Sequence, residues 1–237
     1  MPGKPLYLHS FTALSKHHYV KNLLEEKLPA PHNFLAEEKT PHTLPSSSDT
    51  GNLLHTILEE IPFNHPDVAT FVRPYLTKTP YEEWLQPLTT MIENALSVPL
   101  DGFSLREIHH NSCFRETEFL YPCEGVSALK ESNQPLGYLK GVIDLIFSHD
   151  GKYYILDWKS NWLGSSTKEY TQENLARAMN ENQYYLQAAL YKEAAKRYLR
   201  LIDPRPFEEI YGGAFYLFLR GIDPSPTEHA YGVIKIE

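Results

Sequence analysis

The sequence predicts an α/β fold, with a mixed central sheet flanked by helices and extra helices ahead of it. Two apolar runs rich in strand formers, residues 141–147 and 153–158, are separated by His149-Asp150-Gly151-Lys152. Asp150-Gly151 is a tight-turn signal, so the pair reads as a hairpin. From Thr171 onward, Leu175, Met179, Leu186, Leu190 and Ala194 recur at helical spacing. A third apolar run, residues 213–219, follows that stretch. Helix, strand, hairpin, long helix and strand, in that order, make a sheet covered by helices.

The chain has 237 residues, enough for one sizeable core. Its two cysteines, Cys113 and Cys123, form no C-x-x-C pair, which argues against a zinc finger or a four-cysteine cluster. So low a cysteine content suits a reducing cytoplasm. No window is apolar enough for a membrane span, and Met1-Pro2-Gly3-Lys4-Pro5 lacks a signal-peptide core.

Taken in order, residues 5–28 predict a short helix that Ser10 can cap. Residues 29–50, with four prolines and Ser46-Ser47-Ser48, read as a loop or linker. This divides the chain into an N-terminal segment, 1–50, and a main domain, 51–237. Residues 51–60 look helical, with Leu54, Ile57, Leu58 and Ile61 on one apolar face and His55 beside it. Residues 66–98 read as helices broken at Pro74, Pro80 and Pro87, with a core-facing stripe through Leu85, Leu88, Met91, Ile92, Ala95 and Leu96. Residues 115–121 alternate in type and predict the first strand, with Glu116, Glu118 and Leu120 on one face. Thr171 is placed to cap the long helix, on which Gln187 and Tyr191 are neighbours four apart. The histidines at 9, 17, 18, 109, 110 and 149 read as surface residues.

The hairpin carries the chemistry. Asp144 interrupts an apolar strand, and Asp157 ends the next one with Lys159 two residues on. Residues i and i+2 of a strand share a face, so Asp157 and Lys159 project together. A hairpin partner brings Asp144 beside them. Two buried carboxylates are costly without a compensating cation, and one lysine offsets only one of them. A divalent metal held by Asp144 and Asp157 accounts for the set. The plainer alternative is an ordinary Asp–Lys ion pair with a separate turn aspartate.

These residues resemble a known family. Asp144 … Asp157-Trp158-Lys159 is similar to the motif of the PD-(D/E)xK nucleases. The resemblance is narrower still to the nuclease domain of RecB-type helicase–nucleases. It is carried by G-V-I-D-L-I-F (141–147), L-D-W-K-S-N-W-L-G (156–164), Y-T-Q-E-N-L-A-R-A-M (170–179), Y-Y-L-Q-A-A-L-Y (184–191) and G-G-A-F-Y-L-F-L-R-G (212–221). The resemblance spans residues 51–237 and is poor over the first fifty. It implies a restriction-endonuclease-like core and a Mg²⁺-dependent exodeoxyribonuclease, with Mn²⁺ able to substitute. It also implies metal ligation by His55 in G-x-x-L-H, by Asp144, Asp157 and the Trp158 main-chain carbonyl, and by a glutamate taken here as Glu118. Lys159 becomes the catalytic lysine, with Gln187 and Tyr191 at the edge of the site. The implied partners are single-stranded DNA ends, the helicase part of a RecB-like protein and RecC- or RecD-like subunits, in a bacterial cytoplasm. The rival reading is an inactive module of the same fold, used for assembly or for holding DNA. The formal charge of −8 is unusual for a DNA-binding chain. No G-x-x-x-x-G-K-[ST] occurs, so no ATP-driven motor is encoded in these residues.

Overall fold

A computed structural model describes residues 7–10, 38–124, 126, 137–225 and 231–237. Its strands are β1 (Tyr7–Ser10), β2 (Cys113–Pro122), β3 (Gly137–His149), β4 (Lys152–Lys159), β5 (Tyr211–Phe218) and β6 (Val233–Ile236). Its helices are α1 (Ser48–Glu60), α2 (Val68–Leu76), α3 (Leu85–Ser97), α4 (Gln172–Glu181), α5 (Tyr184–Leu199) and the single-turn α6 (Phe207–Ile210).

The six strands form one mixed sheet in the order β1-β3-β4-β5-β6, with β2 also paired to β3. β2, β3 and β4 run antiparallel in succession, β4 and β5 run parallel, and β6 returns antiparallel. The β3–β4 turn is the two-residue loop Asp150-Gly151, both at positive φ (46° and 74°). That geometry suits a tight hairpin. α1, α2 and α3 cover one face of the sheet, and α4 and α5 cover the other.

β3 has a divided edge. β2 occupies one side of it from Tyr138 to Phe147. On the other side β4 pairs with Leu145 to His149, and β1 pairs with Gly137 to Lys140. Between them, residues 141–144 have no strand partner on this second edge among the described residues. The alternation of side chains also breaks there. Leu139 and Ile143 pack under α4 and α5, whereas Leu145 and Phe147 pack under α1–α3. In β2, Phe114 and the later Phe119 and Tyr121 share the α4–α5 face, so β2 switches parity as well. At that break Glu116 adopts φ +45°, a left-handed conformation uncommon for a non-glycine residue. Glu116 and Asp144 therefore sit at facing irregularities in two paired strands.

Several expectations change. Tyr7–Ser10 forms strand β1; residues 11–37, which include the span of the short helix expected after Ser10 and also His17 and His18, lie outside the described residues. The linker reading runs too far. Ser47 accepts from the Thr50 N–H, and α1 starts at Ser48. Pro74 lies inside the last turn of α2, and Pro87 lies in the first turn of α3, where no donor is needed. Thr171 does cap a helix, but the expected long helix is two. Gln183, at φ +61°, separates α4 from α5. Both cysteines are free thiols. Of the predicted surface histidines, His149 is half-buried, its ring centroid 4.2 Å from that of Phe103.

Arg220 joins the chain's beginning to its end. It is 2 % exposed, and its guanidinium donates to the carbonyls of Ser160, Pro41, Leu44 and Pro45 at 2.8, 2.9, 2.6 and 3.0 Å. Among the described residues no acidic side chain pairs with it, and backbone carbonyl dipoles compensate the charge. Arg220→Met keeps the bulk and orphans four carbonyls. The expected loss is about 3 kcal/mol or more in urea unfolding, given the strength of hydrogen bonds to charged groups. A loss below about 1 kcal/mol would contradict this clamp role.

Candidate active site

The site forms where β3 and β4 part. Their ladder ends at Leu145 and Leu156. One residue further, Asp144 Oδ2 accepts the Trp158 main-chain N–H at 2.8 Å. A side chain thus satisfies a donor that a continuing strand would otherwise pair.

Asp157 and Lys159 project from β4 toward the α4–α5 layer. Lys159 Nζ stands 2.6 Å from Asp157 Oδ2 and donates to Gln187 Oε1 at 2.9 Å. Gln187 Nε2 donates in turn to the Tyr191 hydroxyl at 2.9 Å. The ammonium also lies 3.8 Å from the ring centroid of Tyr184 and 5.2 Å from that of Tyr216. Asp157, Lys159, Gln187 and Tyr191 are all buried. Asp157 Oδ2 touches the ammonium yet makes no directed hydrogen bond.

The opposite layer supplies His55. At Gly51 a Cβ would lie 3.2 Å from Ser160 Oγ, so glycine lets α1 approach the end of β4 closely. One turn later on the same face, His55 Nδ1 reaches within 3.5 Å of Asp144 Oδ2. Arg115 fixes the far end of α1, donating to the carbonyls of Leu58, Glu59 and Ile61 at 3.1, 2.5 and 2.8 Å. The residue beside Glu116 on β2 therefore holds the helix that carries His55.

One potential ligand atom from each of His55, Glu116 and Asp144 lies within 4.8 Å of the other two. Two carboxylates and an imidazole suit a divalent cation; a site with a nitrogen ligand accommodates Mn²⁺ as readily as Mg²⁺. The buried Asp157 oxygen adds an acceptor without a directed donor. The residues present fit a divalent metal. His55, Asp144, Asp157, Trp158, Lys159 and Gln187 line a cleft of about 200 Å³.

Desolvation sets the electrostatics. Burial pushes Asp144 well above the usual carboxylate range, and the Asp157 charge pushes it further. Burial also raises Glu116, helped by the charges of Glu59 and Asp157. Burial lowers His55, opposed by Asp157 and by a main-chain hydrogen bond at Trp158. A lowered His55 is neutral near pH 7 and keeps a lone pair for ligation.

Glu118 is not at this cluster. Its side chain is 68 % exposed and pairs with Lys140 at 3.4 Å. Regular alternation puts Glu116 and Glu118 on one face, but the left-handed backbone at Glu116 takes that residue out of alternation. Glu116 is the glutamate beside Asp144, and only the β2–β3 register reveals it. Arg115 and Tyr184 carried no signal of a role in the sequence.

A family model described as the PD-(D/E)XK nuclease superfamily matches residues 19–232. The RecBCD enzyme subunit RecB of Escherichia coli is 38% identical over 201 residues, covering 75% of this chain and 17% of that protein. The same subunit of Buchnera aphidicola subsp. Schizaphis graminum is 31% identical over 204 residues, with 76% and 17% covered. That of Borreliella burgdorferi is 26% identical over 258 residues, with 92% and 22% covered. The chain thus spans about a fifth or less of the length of these relatives.

Crowded carboxylates destabilise the metal-free fold. With folded pKa values above the unfolded ones, Asp144 and Glu116 favour folding when protonated. That contribution is lost as pH rises from about 4, the unfolded value, through the raised folded ones. Asp144→Asn still accepts from Trp158 and removes the dependence. In EDTA at pH 8 it should raise stability by about 1 kcal/mol, the scale of relieved strain at a functional site. Glu116→Gln should move the same way by less. Thermal melts at pH 5 and pH 8 should show the gap over wild type widening with pH. Lower midpoints for both variants at pH 8 would rule this out.

Proposed function

Because the chain belongs to the PD-(D/E)XK nuclease superfamily, we propose that it hydrolyses DNA phosphodiester bonds with a divalent metal at the Asp144–Asp157–Lys159 site. The carrying observation is the convergence of His55, Glu116 and Asp144, two of which line one cleft with the Asp157–Lys159 pair. Asp144, Asp157, Glu116 and His55 hold the metal, together with the Trp158 carbonyl, and Mg²⁺ is the physiological ion with Mn²⁺ able to replace it. A bound divalent cation polarises the phosphoryl group and acidifies a water ligand. Lys159 directs its ammonium at the attacking water or at charge developing on the phosphate. Gln187 holds that ammonium and Tyr191 holds Gln187, so the Q-x-x-x-Y pair acts through the lysine. Burial of this relay limits its rearrangement during reaction.

In this reading the chain is the nuclease module of a RecBCD-type helicase–nuclease, working exonucleolytically on single-stranded ends in recombination and break repair. The similarity to RecB subunits supports it. The charge also supports it. The densest basic stretch, on α5, is largely engaged within the chain. Lys196 pairs with Glu208, Arg197 with Glu193, and Lys192 lies over the Tyr211 ring. Weak intrinsic affinity for phosphates is acceptable where a tethered motor delivers the strand. RecC- and RecD-like subunits are the corresponding partners, and a bacterial cytoplasm the corresponding compartment. Among the described residues no helix is long and apolar enough to cross a membrane.

Digestion of linear and circular DNA in Mg²⁺ or EDTA tests this. Asp157→Ala should fold normally and lose cleavage. Lys159→Ala should keep Mn²⁺ affinity within a few-fold in calorimetry and cut on the order of 10²-fold more slowly in single turnover. Metal-dependent cutting near the wild-type rate by folded Asp157→Ala would defeat the assignment. Metal binding without any cutting by wild type would favour the inactive, DNA-holding module.

A further inference from the structure

We propose that Tyr184 is a positioning residue for Lys159, with its ring, anchored through Asn161, setting where the ammonium stands. The inference rests on the nuclease reading and concerns a residue outside the D-x-K and Q-x-x-x-Y motifs.

Lys159 Nζ lies 3.8 Å from the Tyr184 ring centroid, well within cation–π range. The ring is fixed from two directions. Its hydroxyl donates to Asn161 Oδ1 at 3.1 Å, and its face stacks on Tyr216 with centroids 6.0 Å apart. Asn161 is two residues past Lys159, so the ring is tied to the segment that carries the lysine. An ammonium has three N–H donors. One side of it meets Asp157, and one donor is taken by Gln187. A ring face holds the charge without an acceptor atom, which leaves donor capacity for the reacting phosphate or water.

The backbone arrangement serves the same placement. Gln183 takes up a left-handed conformation, φ 61° and ψ 23°, as the N-cap of α5. A glycine adopts that conformation without the steric conflict a glutamine meets. The break resets the helical phase between α4 and α5. Tyr184, Gln187 and Tyr191 then fall at i, i+3 and i+7 on one face of α5, the face toward β4.

The test compares Tyr184→Phe, Tyr184→Leu and Asn161→Ala with wild type in two readouts. One is single-turnover cleavage of linear DNA across a Mn²⁺ titration. The other is acetylation of Lys159 by acetic anhydride in metal-free protein, followed by mass spectrometry. Tyr184→Phe keeps the ring face but loses the Asn161 anchor, and Asn161→Ala loses the same anchor from the other side, so both should lower the saturated rate by the same factor of about two to three. Tyr184→Leu should lower the saturated rate about tenfold at unchanged Mn²⁺ half-saturation, the scale of a desolvated cation–π contact. Its Lys159 should also acetylate several-fold faster, whereas the Phe variant's should not. If Tyr184→Leu does not fold, Tyr184→Met replaces it with the same expectations. A wild-type saturated rate with unchanged acetylation overturns the proposal, as does loss of Mn²⁺ affinity in place of rate. Failure of wild type to cut DNA would sink the nuclease reading alone, and the acetylation comparison then decides the positioning by itself.

Discussion

The hydrogen bond from the Trp158 N–H to the Asp144 carboxylate is what the site depends on. A sheet can hold two strands apart only if the donors and acceptors released by the separation find other partners. β3 and β4 separate after Leu145 and Leu156, and Asp144 supplies the missing acceptor. The acid is then fixed at the fork by backbone geometry. Asp157 and Lys159 lie one and three residues beyond Leu156, the last residue of β4 paired to β3, so the fork also fixes their distance from Asp144.

Each helical layer brings one part to the fork and anchors it separately. On one face, Gly51 permits close approach of α1, and Arg115 ties the α1 carbonyls to β2. His55 is therefore positioned from both ends of its helix. On the other face α5 lays Gln187 and Tyr184 against Lys159. His55 and Lys159 are thus supported by different layers. Movement in one layer need not disturb the other, which suits a site whose cation and phosphate must both be gripped. Arg220 adds a brace beneath, joining Ser160 to the segment at 41–45.

The same arrangement carries a cost in stability. Asp144 and Glu116 are buried enough that both titrate above their ordinary range, with burial the leading cause. Glu116 occupies a left-handed conformation, and so does Gln183 beside Tyr184. Strain of this kind persists where surrounding structure over-determines it, and it gathers at functional sites. Among the described residues, two of the four non-glycine positions at positive φ lie at or next to this cleft, with Asp150 in the hairpin turn and Lys78 elsewhere.

Local pattern was enough for the hairpin, the α3 stripe, the Thr171 cap and the D-x-K pair. Their signals are the period of two in strands, the period of 3.6 in helices and a turn residue, all of which act within a few positions. His55, Gln187 and Tyr191 could be singled out only through family resemblance, since each is an unremarkable helix residue by pattern alone. The choice between Glu116 and Glu118 was not legible at all. It depends on the register of β2 against β3 and on one residue leaving the alternation, which is a pairing property rather than a local one. The division of the expected long helix at Gln183 was hidden for a similar reason. The left-handed residue is Gln183, a type with no preference for that conformation, so the break has no local signal at the position where it occurs. The sequence by itself determined the elements and the chemical identities of the acids and the lysine. Only the tertiary structure decided which acids meet, what holds the lysine and how α1 reaches Asp144, because those contacts join residues that chain connectivity leaves far apart.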